Sequence, residues 1–288
     1  MWLMLALAVT DTIASESVLA VLFAVLIHFY LVLDHIDGMQ AKKTGTSSPL
    51  GEYLDHFLDV FHGAISIIGI FALIRIESPT LFFGLLWLTY LAFAATMVEE
   101  KETGVIRFGY IGSMEAVLFF IAFFLSWSIP ELRRIWNSPL ISTYPAYYVL
   151  IIGGAAGAAI TILDCLRRIG RIPLQFTLFT VGGLILLSLL HRWPIPLVLG
   201  TVIITLYCAD YTGRVIGNHL LGERHPSPDL IAPFGFLILL IDQSGPALLQ
   251  SYAIPSASVL IVYLGVRCGA GIIDVLGKLK IYWLWLNP

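Results

Sequence analysis

Charge is scarce in this chain. Only 12% of its 288 residues are Asp, Glu, Lys or Arg, about half the share found in a soluble domain. Meanwhile 58% are hydrophobic and the mean hydropathy is +0.90. So few charges cannot cover the surface of a lone soluble domain, and so apolar a chain is not disordered. A basic excess is also missing: 16 Lys+Arg against 19 Asp+Glu give a net charge of −3, which speaks against nucleic-acid binding. Cysteine is sparse. Cys165, Cys208 and Cys268 lie far apart, with no CxxC spacing, so neither a disulfide framework nor a cysteine zinc site is expected. What remains is a polytopic membrane protein in which every intramembrane charge needs a reason.

A helix needs about 20 mostly apolar residues to cross the hydrocarbon core. Runs of this kind lie at 1–13, 17–40, 54–74, 81–98, 115–130, 145–163, 174–190, 194–212, 229–247 and 254–275. They predict an all-α transmembrane bundle of about ten helices, a single domain over residues 1–288. The first run is too short for a complete span. Met1-Trp2-Leu3-Met4 begins inside apolar sequence, with neither the basic lead-in nor the cleavage site of a signal peptide. The expectation is a truncated first helix, with the native chain starting upstream of Met1. Lys and Arg placement sets the orientation. With loop 41–53 cytoplasmic, eleven basic residues, Lys42 and Lys43 among them, fall on that side. Arg75, Arg133, Arg134 and Arg192 fall on the other, and Arg267 lies within the last run.

The informative stretch is residues 34–59. Asp34 and Asp37 are three apart at the cytoplasmic end of the second run; Asp55 and Asp59 are four apart at the start of the third. Both spacings place side chains on one helical face, and a short loop makes the two helices antiparallel neighbours. Four carboxylates gathered near a membrane cannot all stay ionised without cations. Oxygen donors of this kind suit Mg²⁺, Mn²⁺ or Ca²⁺, and two such ions would clamp a diphosphate for in-line displacement at phosphorus. Gly38 and Ala41 form a small-residue face against which a bulky ligand can lie, within reach of Lys42. Loop residues 43–49 add hydroxyls and backbone amides. The bland alternative is that acids at helix ends merely face water or pair with Lys42 and Lys43.

The pattern Asp34-x2-Asp37-Gly38-x2-Ala41-Lys42-x8-Gly51-x3-Asp55-x3-Asp59 resembles the signature of the CDP-alcohol phosphotransferase family. Every spacing is kept. Lys42 stands where the family usually has arginine, which keeps the charge but loses the bidentate fork. Ser47 to Glu52, the Asp55-His56 pair, Thr103 to Gly109 and Glu115 are similar to the choline/ethanolamine phosphotransferase branch, with a weaker likeness through Asn218-His219 and the last two runs. The family's short interfacial helix before its first span has no counterpart in the chain. The resemblance implies that Asp34, Asp37, Asp55 and Asp59 hold two ions, Mg²⁺ or Mn²⁺, and that Gly38, Ala41, Lys42, Ser48 and Gly51 line a CDP site. It implies a multi-pass membrane enzyme of phospholipid biosynthesis with its site facing the cytoplasm, and a homodimer. Phosphoethanolamine or phosphocholine would pass from a CDP-alcohol to diacylglycerol, with release of CMP. Either Asp59 or His56 would take the acceptor proton; the ordinary pKa of His suits that task.

Two other functions remain open. The same chemistry with CDP-diacylglycerol as donor to a soluble alcohol would favour more basic residues than Lys42, Lys43 and Arg107. A cation transporter using intramembrane carboxylates explains the acids but not the Gly/Ala/Lys spacing. Elsewhere, Arg107 and Glu115 flank the turn at 109–112 and are candidates for contact with phosphate, metal or amino alcohol. Glu99, Glu100, Lys101 and Glu102 read as a solvated helix end. Asp210 with Arg214, and Asp164 with Arg167 and Arg168, read as local ion pairs. His219 and His225 read as loop residues with Asp229. Trp283 and Trp285, and Tyr144, Tyr147 and Tyr148, read as interfacial anchors.

Overall fold

Ser15 opens the first helix by accepting a hydrogen bond from the Val18 amide at 3.3 Å, satisfying one of the free amides that every helix start leaves. In the computed structural model, which describes residues 15–76, 78–107, 113–241 and 251–286, this helix is α1 (Glu16–Thr44). It is followed by α2 (Pro49–Ile74), α3 (Pro79–Thr103), α4 (Ser113–Ser128) and α5 (Pro130–Asn137). A small antiparallel hairpin, β1 (Pro139–Ile141) and β2 (Tyr144–Pro145), leads to α6 (Tyr148–Ile169). Then come α7 (Leu174–Arg192), α8 (Leu197–Leu220), α9 (Ile231–Ile241) and α10 (Ala253–Leu286). Ten helices among the described residues agree with the expected all-α bundle. The run 1–13 lies outside the described residues.

Not every apolar run matches the length and hydropathy of a single span. Among the described residues, six helices are long and apolar enough to cross a membrane: α1, α2, α3, α6, α7 and α10. A seventh counts if α4 and α5 form one broken span; they bend by 108° at the junction, where Pro130 has no N–H to continue the α4 ladder. The run 194–212 folds as α8, which carries Thr201, Thr205, Asp210, Thr212 and Arg214 along its length. Of the run 229–247, only α9 is described as helix.

The chain divides into two compact units. Among the described residues, the first holds 15–47, 62–76 and 113–160. Its core is aromatic: Phe23 of α1 meets Phe124 of α4 edge to face at 5.6 Å. Gly69 of α2 lies beneath both rings, where a Cβ would come within 3.0 Å of Phe124. At one end Glu16 pairs with Arg133 at 2.9 Å and Arg75 at 3.5 Å. The Trp136 indole donates to Ser126 Oγ at 2.8 Å and so holds α5 against α4.

The second unit holds 48–61, 78–107, 161–241 and 251–286. Here glycines admit large rings from α3. Trp87 occupies the place a side chain on Gly183 of α7 would take, and Phe83 does the same at Gly200 of α8, the close packing that small residues permit between membrane helices. Phe179 stacks on Tyr211 at 4.3 Å and Tyr207 at 5.3 Å. Asp210, 3% exposed, accepts from Arg214 Nε at 3.0 Å and Arg267 Nε at 2.9 Å. The expected local pair is therefore present, with Arg267 of α10 as a second partner. Asp229 caps α9 through the Ile231 and Ala232 amides and accepts from the Tyr263 hydroxyl at 2.9 Å. Asp210 and Asp229 are thus buried charges with partners, as burial demands.

Candidate active site

The two halves of the 34–59 pattern fall in different units. In the first unit, α1 runs past Asp34 and Asp37 and ends at Gly45, whose φ of +67° is a left-handed conformation that glycine adopts freely. Asp34 is half-buried, and the Tyr30 hydroxyl lies 3.5 Å from Oδ1. Asp37, Gly38 and Lys42 are exposed, and Ala41 is half-buried. A Cβ on Gly38 would meet nothing within 4 Å. The loop that follows is less free than its composition suggests. The Thr46 amide donates to Ala41 O at 3.0 Å, and the Thr44 hydroxyl donates to Gln40 O at 2.8 Å.

In the second unit, Ser48 is the N-cap of α2: its Oγ accepts from the Gly51 amide at 3.1 Å, with Pro49 at the first helical position, where its missing N–H costs nothing. At 100° per residue, the order around α2 is Asp55, Asp59, Glu52, His56, and then the buried Val60, Tyr53 and Phe57. Asp55 is exposed and Asp59 half-buried. Phe57 fits against Gly213 of α8, where a Cβ would come within 2.8 Å of the ring, and Tyr53 stacks on Phe57 at 5.7 Å. This wedge sets the rotation of α2 within the unit. It turns His56 away from the aspartate arc toward α3, where Glu52, His56 and Glu100 bring their donor atoms within 4.8 Å of one another. His219, in the last turn of α8, places Nε2 3.8 Å from Glu100 Oε1.

The end of α3 corrects the expectation of a solvated charge run. Glu99 is 0% exposed and receives two hydrogen bonds from Arg168, Nε to Oε1 at 2.5 Å and Nη2 to Oε2 at 2.7 Å. Arg168 thus serves a residue on another helix; the sequence had placed it with Asp164. Lys101 Nζ donates to Asn218 O at 3.0 Å and Glu223 O at 2.6 Å, satisfying carbonyls at the end of α8. Glu102 pairs with Arg171 at 2.6 Å and lies 3.2 Å from His225 Nε2. His219 and His225 are therefore not bland loop residues: one is helical, and both face carboxylates. Burial lowers the His225 pKa from its ordinary value, against the opposing pull of Glu102. A cavity of about 490 Å³ opens here, lined among others by Lys101, Glu102, Arg171, Gln175, Arg224 and His225.

Arg107 is exposed, and its carbonyl lies 3.4 Å from Arg168 Nη2. The side chains of Glu115, Trp283 and Trp285 and the turn at 109–112 lie outside the described residues. Glu52, Glu100 and His219 are the residues sequence reading missed. One signal was available: Glu99 and Glu100 follow Val98 directly, at the end of an unbroken apolar run.

A sequence model of the family described as CDP-alcohol phosphatidyltransferase matches residues 1–142. The chain is similar to the Dictyostelium discoideum "uncharacterized CDP-alcohol phosphatidyltransferase class-I family protein 2", 39% identical over 102 residues, or 34% of this chain and 24% of that protein. It is 32% identical over 96 residues to cholinephosphotransferase 1 of Gallus gallus, covering 33% of this chain and 29% of the relative. It is 33% identical over 79 residues to ethanolaminephosphotransferase 1 of Mus musculus, covering 26% and 20%. The alignments thus span less than a third of the length of these relatives. The apolar helices and the family match together make the chain an integral multi-pass membrane protein. The match to the CDP-alcohol phosphatidyltransferase family thus spans residues 1–142, which carry the whole Asp34-to-Asp59 signature.

Proposed function

We propose that the protein transfers a phospho-alcohol, phosphoethanolamine or phosphocholine, from a CDP-alcohol to diacylglycerol and releases CMP. The observation that carries this reading is the unbroken spacing of eight signature positions across residues 34–59, inside the matched region. The similarity to a cholinephosphotransferase and an ethanolaminephosphotransferase supports the choice of head group.

In this reading Asp34, Asp37, Asp55 and Asp59 hold divalent cations. Their donor set fits: all are carboxylates, and Asp37 and Asp55 are exposed to take a ligand. When bound, Mg²⁺ or Mn²⁺ supplies neutralisation of charge on the bridging diphosphate. Lys42 contacts phosphate, and Gly38, Ala41, Ser48 and Gly51 contribute to nucleotide binding. The acceptor hydroxyl attacks the β-phosphorus, and CMP leaves. His56 takes the acceptor proton in preference to Asp59, because its imidazole sits between the carboxylates of Glu52 and Glu100, which stabilise the imidazolium that forms. Arg107 and Glu115 lie outside this assignment of steps and remain candidate contacts for the substrate head group. The site faces the side richer in Lys and Arg, the cytoplasm.

The test is CMP release by purified protein in liposomes with Mg²⁺ or Mn²⁺. CDP-ethanolamine and CDP-choline are supplied with diacylglycerol, and CDP-diacylglycerol with soluble alcohols. CMP from the first pair, lost in Asp55→Asn, is the expected result. CMP only from CDP-diacylglycerol would reverse the donor, and none from any donor would leave cation transport as the standing reading.

A further inference from the structure

Among the described residues, each acid at the end of α3 has a cationic partner except one. Glu99 has Arg168 and Glu102 has Arg171. Glu100, whose side chain is only 9% exposed, faces imidazoles: His219 at 3.8 Å and His56 within the 4.8 Å cluster, with Glu52 beside them. The neighbouring Lys101 ammonium is committed to the Asn218 and Glu223 carbonyls. A carboxylate this buried needs a cation close by; Glu52 and His56 of α2 share its cluster, and His219 of α8 approaches Glu100 itself.

We propose that Glu52, His56, Glu100 and His219 form a second metal site, selective for a Zn²⁺-class ion. Two imidazole nitrogens and two carboxylate oxygens are a zinc-type donor set, whereas the all-oxygen aspartates suit harder ions. Neutral imidazoles leave two negative charges, which one divalent ion cancels. Around a tetrahedral ion with bonds of about 2.0–2.1 Å the donors stand about 3.4 Å apart. The Glu52, His56 and Glu100 donors lie within 4.8 Å of one another and His219 Nε2 lies 3.8 Å from Glu100; binding draws the four in to that value by side-chain rotation. An ion held here occupies the imidazole of His56, and on the reading that His56 takes the acceptor proton it silences the enzyme.

The binding test needs no turnover. Full-length protein in detergent with excess Mg²⁺ is dialysed against Zn²⁺ and its metal content measured; Co²⁺ serves as a visible-absorbing probe. One Zn²⁺ per chain beyond any held by the aspartates is expected, with Co²⁺ giving the intense visible bands of a four-coordinate nitrogen-containing site. His219→Gln and Glu100→Gln should each weaken Zn²⁺ binding by about tenfold or more, and Asp55→Asn should leave it in place. Zn²⁺ uptake unaffected by His219→Gln, or abolished by Asp55→Asn alone, overturns the proposal. His219 lies at a helix end, so this variant keeps the test open if Glu100→Gln does not fold. Zn²⁺ should also inhibit CMP release, and His219→Gln should relieve it. Normal Zn²⁺ binding without inhibition would refute the role of His56 and leave the metal site standing.

Discussion

Arg168 of α6 grips Glu99 of α3 with two hydrogen bonds, Nε to Oε1 and Nη2 to Oε2, at 2.5 and 2.7 Å. The carboxylate is fully buried, so its charge depends on that fork. Arg168→Met should destabilise the protein by about 3–5 kcal/mol, because it leaves an unpaired buried charge. Adding Glu99→Gln to Arg168→Met should recover much of the loss. Thermal unfolding in detergent reads both, and a double variant no more stable than the single one would contradict the pairing argument.

Gly183 is a steric requirement. A methyl group there overlaps the Trp87 ring, and overpacking a filled site costs about 1–3 kcal/mol. Gly183→Ala should lower the melting temperature, and adding Trp87→Phe should raise it again. Equal melting of Gly183→Ala and the parent protein would show that the two helices separate without penalty.

His225 gives stability a pH dependence. Burial holds its folded pKa below the unfolded value of about 6.5, so the unfolded chain takes up a proton first. Stability is therefore fully present above about pH 6.5 and declines as the pH falls through that value toward the folded pKa. His225→Gln should flatten this part of a melting-temperature profile. An unchanged slope would assign the acid sensitivity to other groups.

Two substitutions separate the proposed catalytic roles. His56→Gln should lower kcat for CMP release by about 10²–10⁴-fold with little change in KM for the CDP-alcohol. Lys42→Arg should do the reverse, lowering that KM by roughly fivefold for about 1 kcal/mol of added phosphate contact. If both variants moved kcat and KM together, the division between proton transfer and phosphate binding would not stand.

Sequence reading located most helices because hydropathy is a local property: runs at 17–40, 54–74 and 81–98 match α1, α2 and α3. It also found the Asp210–Arg214 pair, which sits four residues apart on one helix. It failed where partners are distant in sequence. Arg168 was paired with its neighbour Asp164 because nothing local points 69 residues back to Glu99. Glu100 was taken as solvated for the same reason, since its imidazole partners come from α2 and α8. The sequence leaves the rotation of His56 open because it depends on Phe57 being seated on Gly213 of α8. Gly213 carries no side chain with which to announce that contact.

The buried charges of α8 bear on how the chain enters a bilayer. Asp210 and Arg214 stand within this helix, and charged groups at the centre of an inserting helix cost about 2.5–3.5 kcal/mol each. Arg267, the second partner of Asp210, arrives on α10, translated more than fifty residues later. Asp210 therefore has Arg214 as a partner within its own helix from the start, and gains its second partner only once α10 has been made.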